Sequence, residues 1–224
     1  METLVTENVS IVLHLQMTDI NTKERIRLVA HDLLMQYGIR SISMDDIAAK
    51  LGMSKKTIYQ FYRDKDELVE EVIGGMIFNN QETCIADKKK ADNAVHEIFI
   101  AMDLVTEIFR SMNPSVMYDL QKYHPTAFAK FQHHKNEFLL KMMQQNIKRG
   151  IDEELYRPQI NVEIMSRFRV ESMFIPFNQE FVKNAKASLL DIEQEIIVHF
   201  LFGLVTLKGY KMVLQYQKHR EKNK

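Results

Sequence analysis

Between Ser43 and Lys65 the chain gathers the side chains best suited to recognition chemistry: Ser43, Ser54, Lys55, Lys56, Thr57, Tyr59, Gln60 and Lys65. Each can donate a hydrogen bond, and the lysines add positive charge. Phosphate oxygens are gripped by these residue types, and lysine also bonds guanine O6 and N7 in the major groove. The order suggests a division of labour. Lys55, Lys56 and Thr57 would stand at the amino end of a short helix and meet base edges. Tyr59, Gln60 and Lys65 would hold phosphates, as would Ser43 and Ser54 through the helix starts they cap. Ile58 and Phe61 read as core.

The positioning elements are legible in the same stretch. Ser43 with Asp46 is an S-x-x-D capping box that opens a short helix, whose apolar face is Ile47, Ala48 and Leu51. Gly52 can take the left-handed conformation that ends it. Ser54 caps a second short helix, and Asp64 with Glu67 forms a D-x-x-E box opening a third. Two short helices joined by a tight, glycine-containing turn make a helix-turn-helix, the layout that sets one helix in a DNA groove. A preceding helix is expected from an Asn21–Glu24 cap to Gly38, with Ile26, Val29, Ala30, Leu33, Leu34 and Tyr37 at helical spacing.

The run Ile47, Ala48, Gly52, Met53, Ser54, Lys55, Thr57, Ile58, Tyr59, Phe61, Tyr62, Lys65 and Leu68 resembles the signature of the TetR family of transcriptional repressors. Lys56 stands where the family has a small residue, and Phe61-Tyr62 inverts its usual aromatic order. The resemblance covers residues 20–70. It implies an all-α fold, with a three-helix head over 19–70 and a linking helix continuing to about 86. It further implies a helical ligand-binding and dimerisation body over 91–218, and equivalent tyrosine and lysine positions on phosphates. The partners implied are a double-stranded, palindromic operator, a second copy of the chain and a small effector.

Formal net charge is zero, but from Ile20 to Lys65 nine lysines and arginines face five acidic residues. A basic head on an acidic remainder suits a DNA reader. Cys84 is the single cysteine, which excludes an internal disulfide and fits a reducing cytoplasm. No apolar run is long enough to span a membrane. Residues 1–18 read as a disordered extension, with Met17 as an alternative start.

Beyond the head every segment reads as helix. Gly74-Gly75 interrupts the helix from Asp64, as a site of close packing or a flexible point. Residues 86–93, with Lys88, Lys89 and Lys90, read as a polar connector. Helices are expected over 92–112, from Pro114 to Tyr123, over 125–149 closed by Gly150, over 162–175 ended at Pro176, and from Ser188 to Lys218.

The ligand-binding candidates combine large adaptable side chains with polar ones that could orient a guest: Met102, Thr106, Phe109, Met117, Tyr118, Phe138, Phe168 and Glu171. The last helix appears apolar on two sides, so it needs two partners. Ile196, Phe200, Gly203, Leu207 and Tyr210 are its expected dimer stripe. No cofactor or metal site is expected, because the histidines are scattered and lack ligand spacing. No nucleophile elbow, phosphate loop or carboxylate pair marks an enzyme. The rival reading makes the body a protein-interaction platform without an effector.

Overall fold

The computed structural model describes residues 21–222, and the expected extension over 1–18 lies outside them. α1 is helical over 21–37. Asn21 is already helical, so it is not the cap that the sequence suggested. Three short elements follow: α2 (Met44–Leu51), α3 (Lys55–Ile58) and the start of α4 (Lys65–Lys90). Ser43 and Asp46 form the reciprocal capping box, and Gly52 ends α2 at φ 66°. Ser54 Oγ accepts from Thr57 N at 3.1 Å and so fixes the first turn of α3.

Asp64 caps α4, accepting from Glu67 N at 2.8 Å. The expected reciprocal box does not close there, because Glu67 reaches Arg63 N at 2.6 Å instead. α4 is one continuous helix to Lys90. The expected connector is therefore its last turn, where Lys88, Lys89 and Lys90 complement the carbonyl end of the helix dipole. Ala91 ends it and Asn93 caps the next helix by accepting from His96 N. Gly75 packs closely: a Cβ there would meet the Arg27 guanidinium of α1, whereas Gly74 faces open space.

The body comprises α5 (Ala94–Ser111), α6 (Val116–Tyr123), α7 (Pro125–His133), a π-helical turn (His134–Leu139), α8 (Leu140–Asp152), α9 (Val162–Ser172), a 3-10 turn (Ile175–Phe177), α10 (Gln179–Ala185), α11 (Leu189–Leu204) and α12 (Leu207–Lys222). Pro114 does not open α6: Ser115 is its N-cap and Val116 its first residue. Gly150 does not end α8. It lies inside the helix where the Tyr156 ring leaves no room for a Cβ. α9 stops before Pro176, and α10 was not legible in the sequence.

The long terminal helix also divides. Val205 is extended (ψ 151°), and Arg157 N and Thr206 N bond to Leu204 O and Leu155 O, each at 2.9 Å. Among the described residues this leaves one isolated bridge, Tyr156 with Val205, and no strand. The molecule is all-α.

Two apolar cores form. One joins α1–α4 to α6 and α7: Ile26, Leu34, Ile47, Ile58 and Leu68 share it with Val116, Leu120 and Ala127. Truncating such a side chain to alanine typically costs about 2–5 kcal/mol. The other joins α5, α8, α9, α11 and α12 around Phe99, Ile147, Tyr156, Phe200 and Val213. Gly38 makes the first core possible. It sits at φ 90°, and a Cβ would lie 2.7 Å from Ser115 Oγ of the body. A side chain there would be both strained and crowded.

Candidate nucleic-acid interface and body cavity

Most of the head's candidate donors are open to solvent. Ser43, Ser54, Lys55, Lys56, Tyr59 and Gln60 are exposed, with Thr57 partly covered. Ile58 is fully buried and anchors α3 from below, and Phe61 packs partly buried against the same core. The helix is only one turn long, but its backbone continues as a turn, with Phe61 N and Tyr62 N both bonding Ile58 O at 3.0 Å. Tyr62 OH donates to Lys23 O at 3.0 Å, tying this turn to α1. Burial pushes the Tyr62 phenol well above its ordinary range.

Two candidate lysines are already engaged. Lys55 Nζ lies 2.8 Å from Asp45 Oδ2, a pairing that raises the lysine's proton affinity. Lys65 Nζ donates to Ile39 O at 2.6 Å, and burial lowers its pKa. In the absence of DNA its side chain thus holds the loop before α2. Among the described residues Lys56 has no hydrogen-bond or ion-pair partner, and Lys56, Tyr59 and Gln60 are exposed donors.

Head and body are joined by polar contacts beside their common core. Asn113 N donates to Met35 O at 2.7 Å. Asp119, buried at 5% exposure, accepts from Arg40 N at 3.0 Å. Arg40 also covers the Tyr123 ring at 5.3 Å. His124 Nδ1 lies 2.7 Å from Asp66 Oδ1 but is not aligned for a hydrogen bond.

Within the body an apolar cavity of about 180 Å³ lies between α4, α5, α6, the π turn and the segment after α9. Ile77, Val105, Phe109, Met117, Phe131 and Phe174 supply much of its wall. Its polar boundary is Asn80, His134 and Glu193. His134 is 5% exposed; its Nε2 lies 3.1 Å from Asn80 Oδ1 and its Nδ1 lies 3.3 Å from Gln81 Nε2. Burial lowers its pKa to about 4, with His133 contributing. The ring is neutral at physiological pH. The π turn swings His134 and Lys135 inward together, and both are buried. That backbone irregularity has no signal in the apolar spacing.

Glu193 pairs with Arg169 of α9 at 2.6 Å, the two side chains being 1% and 3% exposed. Burial raises the Glu193 carboxyl, with Arg169 opposing. Among the described residues, nothing hydrogen-bonds to Glu193 Oε2 or Arg169 Nε.

The structure disperses the expected ligand set. Phe109 and Met117 line the cavity, while Met117, Tyr118 and Glu171 border an outer cleft of about 450 Å³. There Glu171 is held by Lys135 at 2.8 Å. Met102 is buried core, and Thr106 donates to Met102 O at 2.8 Å along a separate groove. Phe138 stacks on His134 at 5.3 Å. Phe168 is 50% exposed on the opposite side, stacked with Phe200 at 6.3 Å. One continuous helical face cannot explain these positions. The α4 contributors Ile73, Met76, Ile77 and Asn80 were missed because α4 read only as a link.

The expected dimer stripe divides as well. Phe200 belongs to the chain's own core at 2% exposure. Ile196 and Gly203 remain on α11, while Leu207 and Tyr210 project from α12 with 73% and 44% exposure. Around them Ile164, Phe168 and Phe181 are also exposed.

Residues 26–72 match the model for bacterial regulatory proteins of the tetR family. The uncharacterized HTH-type transcriptional regulator YvaF of Bacillus subtilis (strain 168) is 32% identical over 114 residues, covering 47% of this chain and 55% of that protein. The match thus spans about half the relative's length. A TetR-family regulator from Agrobacterium tumefaciens shares the fold at a TM-score of 0.69, with 11% identity over 83% of this chain and 98% of that one. A regulator from Saccharomonospora viridis, solved in complex with choline, aligns at a TM-score of 0.64 with 13% identity, covering 83% of this chain and 98% of that one.

Proposed function

Taking the chain as the TetR family member that its head makes it, we propose that it is a DNA-binding transcription regulator working as a homodimeric repressor on a palindromic operator. The exposed donor group Lys56, Tyr59 and Gln60, on α3 and the turn that continues it, lies within the span 26–72 that matches the family and carries this reading. Lys55 joins it when DNA phosphate or base competes with Asp45, and Ser43 and Ser54 offer phosphate contacts from their capped helix starts. Lys65 acts as a support, holding Ile39 and the loop before α2.

Dimerisation follows the exposed apolar side chains of α9, α10 and α12. Ile164, Phe168, Leu207, Tyr210 and Leu214 favour burial against a second copy. A twofold pair of heads then meets half-sites about 34–36 Å apart. A small molecule in the body cavity alters head spacing and lowers operator affinity. Reciprocal coupling of this kind is typically about 1–3 kcal/mol. Support comes from the apolar cavity itself, whose α4 and α6 walls lead directly into the head's core. The complex of the Saccharomonospora regulator with choline shows a small organic molecule held by a protein of this fold. The same cavity favours an effector-responsive body over a protein platform.

The test is selection of bound duplexes from a random DNA pool. Enrichment of an inverted repeat, with a twofold protein on each selected duplex, is expected. Retention without sequence enrichment would overturn the operator reading.

A further inference from the structure

We infer that the body cavity takes a compact, neutral apolar molecule bearing one hydroxyl or N–H donor, and that the donor binds Glu193 Oε2. This assignment rests on the reading of the body as an effector domain and adds the ligand's chemical class.

The cavity wall supplies the apolar half. Phe109, Met117, Phe131 and Phe174 present carbon and sulfur surface, and the space is about 180 Å³. An apolar cavity of about 150 Å³ holds benzene, so a single substituted ring matches this one. Methionine adapts to a ring's outline and makes favourable sulfur–aromatic contacts.

Glu193 supplies the polar half. Its side chain is 1% exposed and lines the same cavity. One carboxylate oxygen takes Arg169 Nη2 at 2.6 Å. The second has no protein partner. An ionised carboxylate only accepts, so its free oxygen calls for a donor. A buried acceptor without a partner is costly, and a guest that fills it is selected strongly over one that does not.

Charge decides between a neutral and a cationic donor. Arg169 already neutralises Glu193. The other titratable group on the cavity wall is His134, which stays neutral, and Lys135 beyond it is held by Glu171. An ammonium would leave an uncompensated positive charge in an apolar space, whereas a hydroxyl adds none.

Calorimetric titration of the full chain with p-cresol, 4-methylanisole, p-xylene and benzylammonium tests the assignment. The cresol should bind at least tenfold tighter than its methyl ether, which keeps the shape and loses the donor. Removing both charges in R169M/E193M avoids an orphaned buried ion and should bring that ratio to about one. Equal binding of cresol and ether to the wild-type chain would overturn the donor site while leaving the cavity as an effector site. Tighter binding of benzylammonium would overturn the neutral class. Failure of all four probes to bind would also overturn the proposal, whereas the operator reading stands or falls on the DNA selection alone.

Discussion

The Arg40 amide donates to the Asp119 carboxylate at 3.0 Å, so a turn of the head is held by a buried acid of the body. Asp119→Ala removes the acceptor and leaves the amide under the α6 surface. Loss of such a partner costs about 1–3 kcal/mol, and urea unfolding should show a midpoint lowered accordingly. An unchanged midpoint would mean that water replaces the carboxylate without penalty.

Gly38 and Gly74 should respond oppositely to alanine. At Gly38 both the positive φ and the 2.7 Å approach to Ser115 oppose a side chain, so G38A should destabilise by more than about 1 kcal/mol. Gly74 is helical with open space beside it, so G74A should stabilise by up to about 1 kcal/mol. Denaturation curves of the two variants give the comparison. If G74A also left operator affinity and its response to effector unchanged, α4 would act as a rigid strut without a flexible point there.

Lys56→Ala should weaken operator binding. If its contact is to a base edge, the loss should be about 1–3 kcal/mol with relaxed preference at one base pair. If it is to phosphate, affinity should fall for all sequences and the salt slope by about 1. Asp45→Asn frees Lys55 from its 2.8 Å partner and removes a negative charge beside α3. D45N should therefore bind non-operator DNA more tightly, as read by a gel-shift salt series. Weaker binding would place Asp45 among the supporting residues of the interface.

An ordinary histidine takes its proton near pH 6.5, but His134 does so at about 4. Between those values the unfolded chain binds a proton that the folded chain refuses. This contribution is intact above pH 6.5 and is lost on acidification toward pH 4, with a slope approaching about 1.4 kcal/mol per pH unit. Comparing urea midpoints at pH 7.5 and 5 for wild type and H134Q isolates it. Parallel curves for the two proteins would mean that His134 is protonated inside the fold.

Leu207 is 73% exposed on α12. If that face is the dimer seam, sedimentation at micromolar concentration should give twice the 26.4 kDa chain mass, and L207D should return it to the single-chain value. L207D should also weaken operator binding while leaving the helical signal unchanged. A wild-type species of single-chain mass would remove the dimer from the proposal.

Much of the head could be read directly, because its elements are set by local chemistry. Ser43, Gly52, Ser54 and Asp64 act on backbone groups within a few residues, and the structure places a cap or stop at each. The body was less legible because its features depend on distant contacts. Gly150 looked like a helix stop, but the Tyr156 ring uses its missing side chain for packing. The terminal helix looked continuous until the bonds from Arg157 and Thr206 were seen to break it. Nothing in the spacing of the terminal helix marks Glu193 for burial. Only the approach of Arg169, 24 residues earlier, shows it buried.

The core that runs unbroken from Ile26 and Leu68 into Val116, Leu120 and Ala127 bears on how such a chain can diverge. A recombination point at the end of α4 would strip Val116, Leu120 and Ala127 from the head's core. Exchange of bodies between relatives would succeed only where α6 and α7 travel with the head, or where the incoming pair presents the same surface. Drift in the body is thereby constrained on the face that α6 and α7 turn to the head.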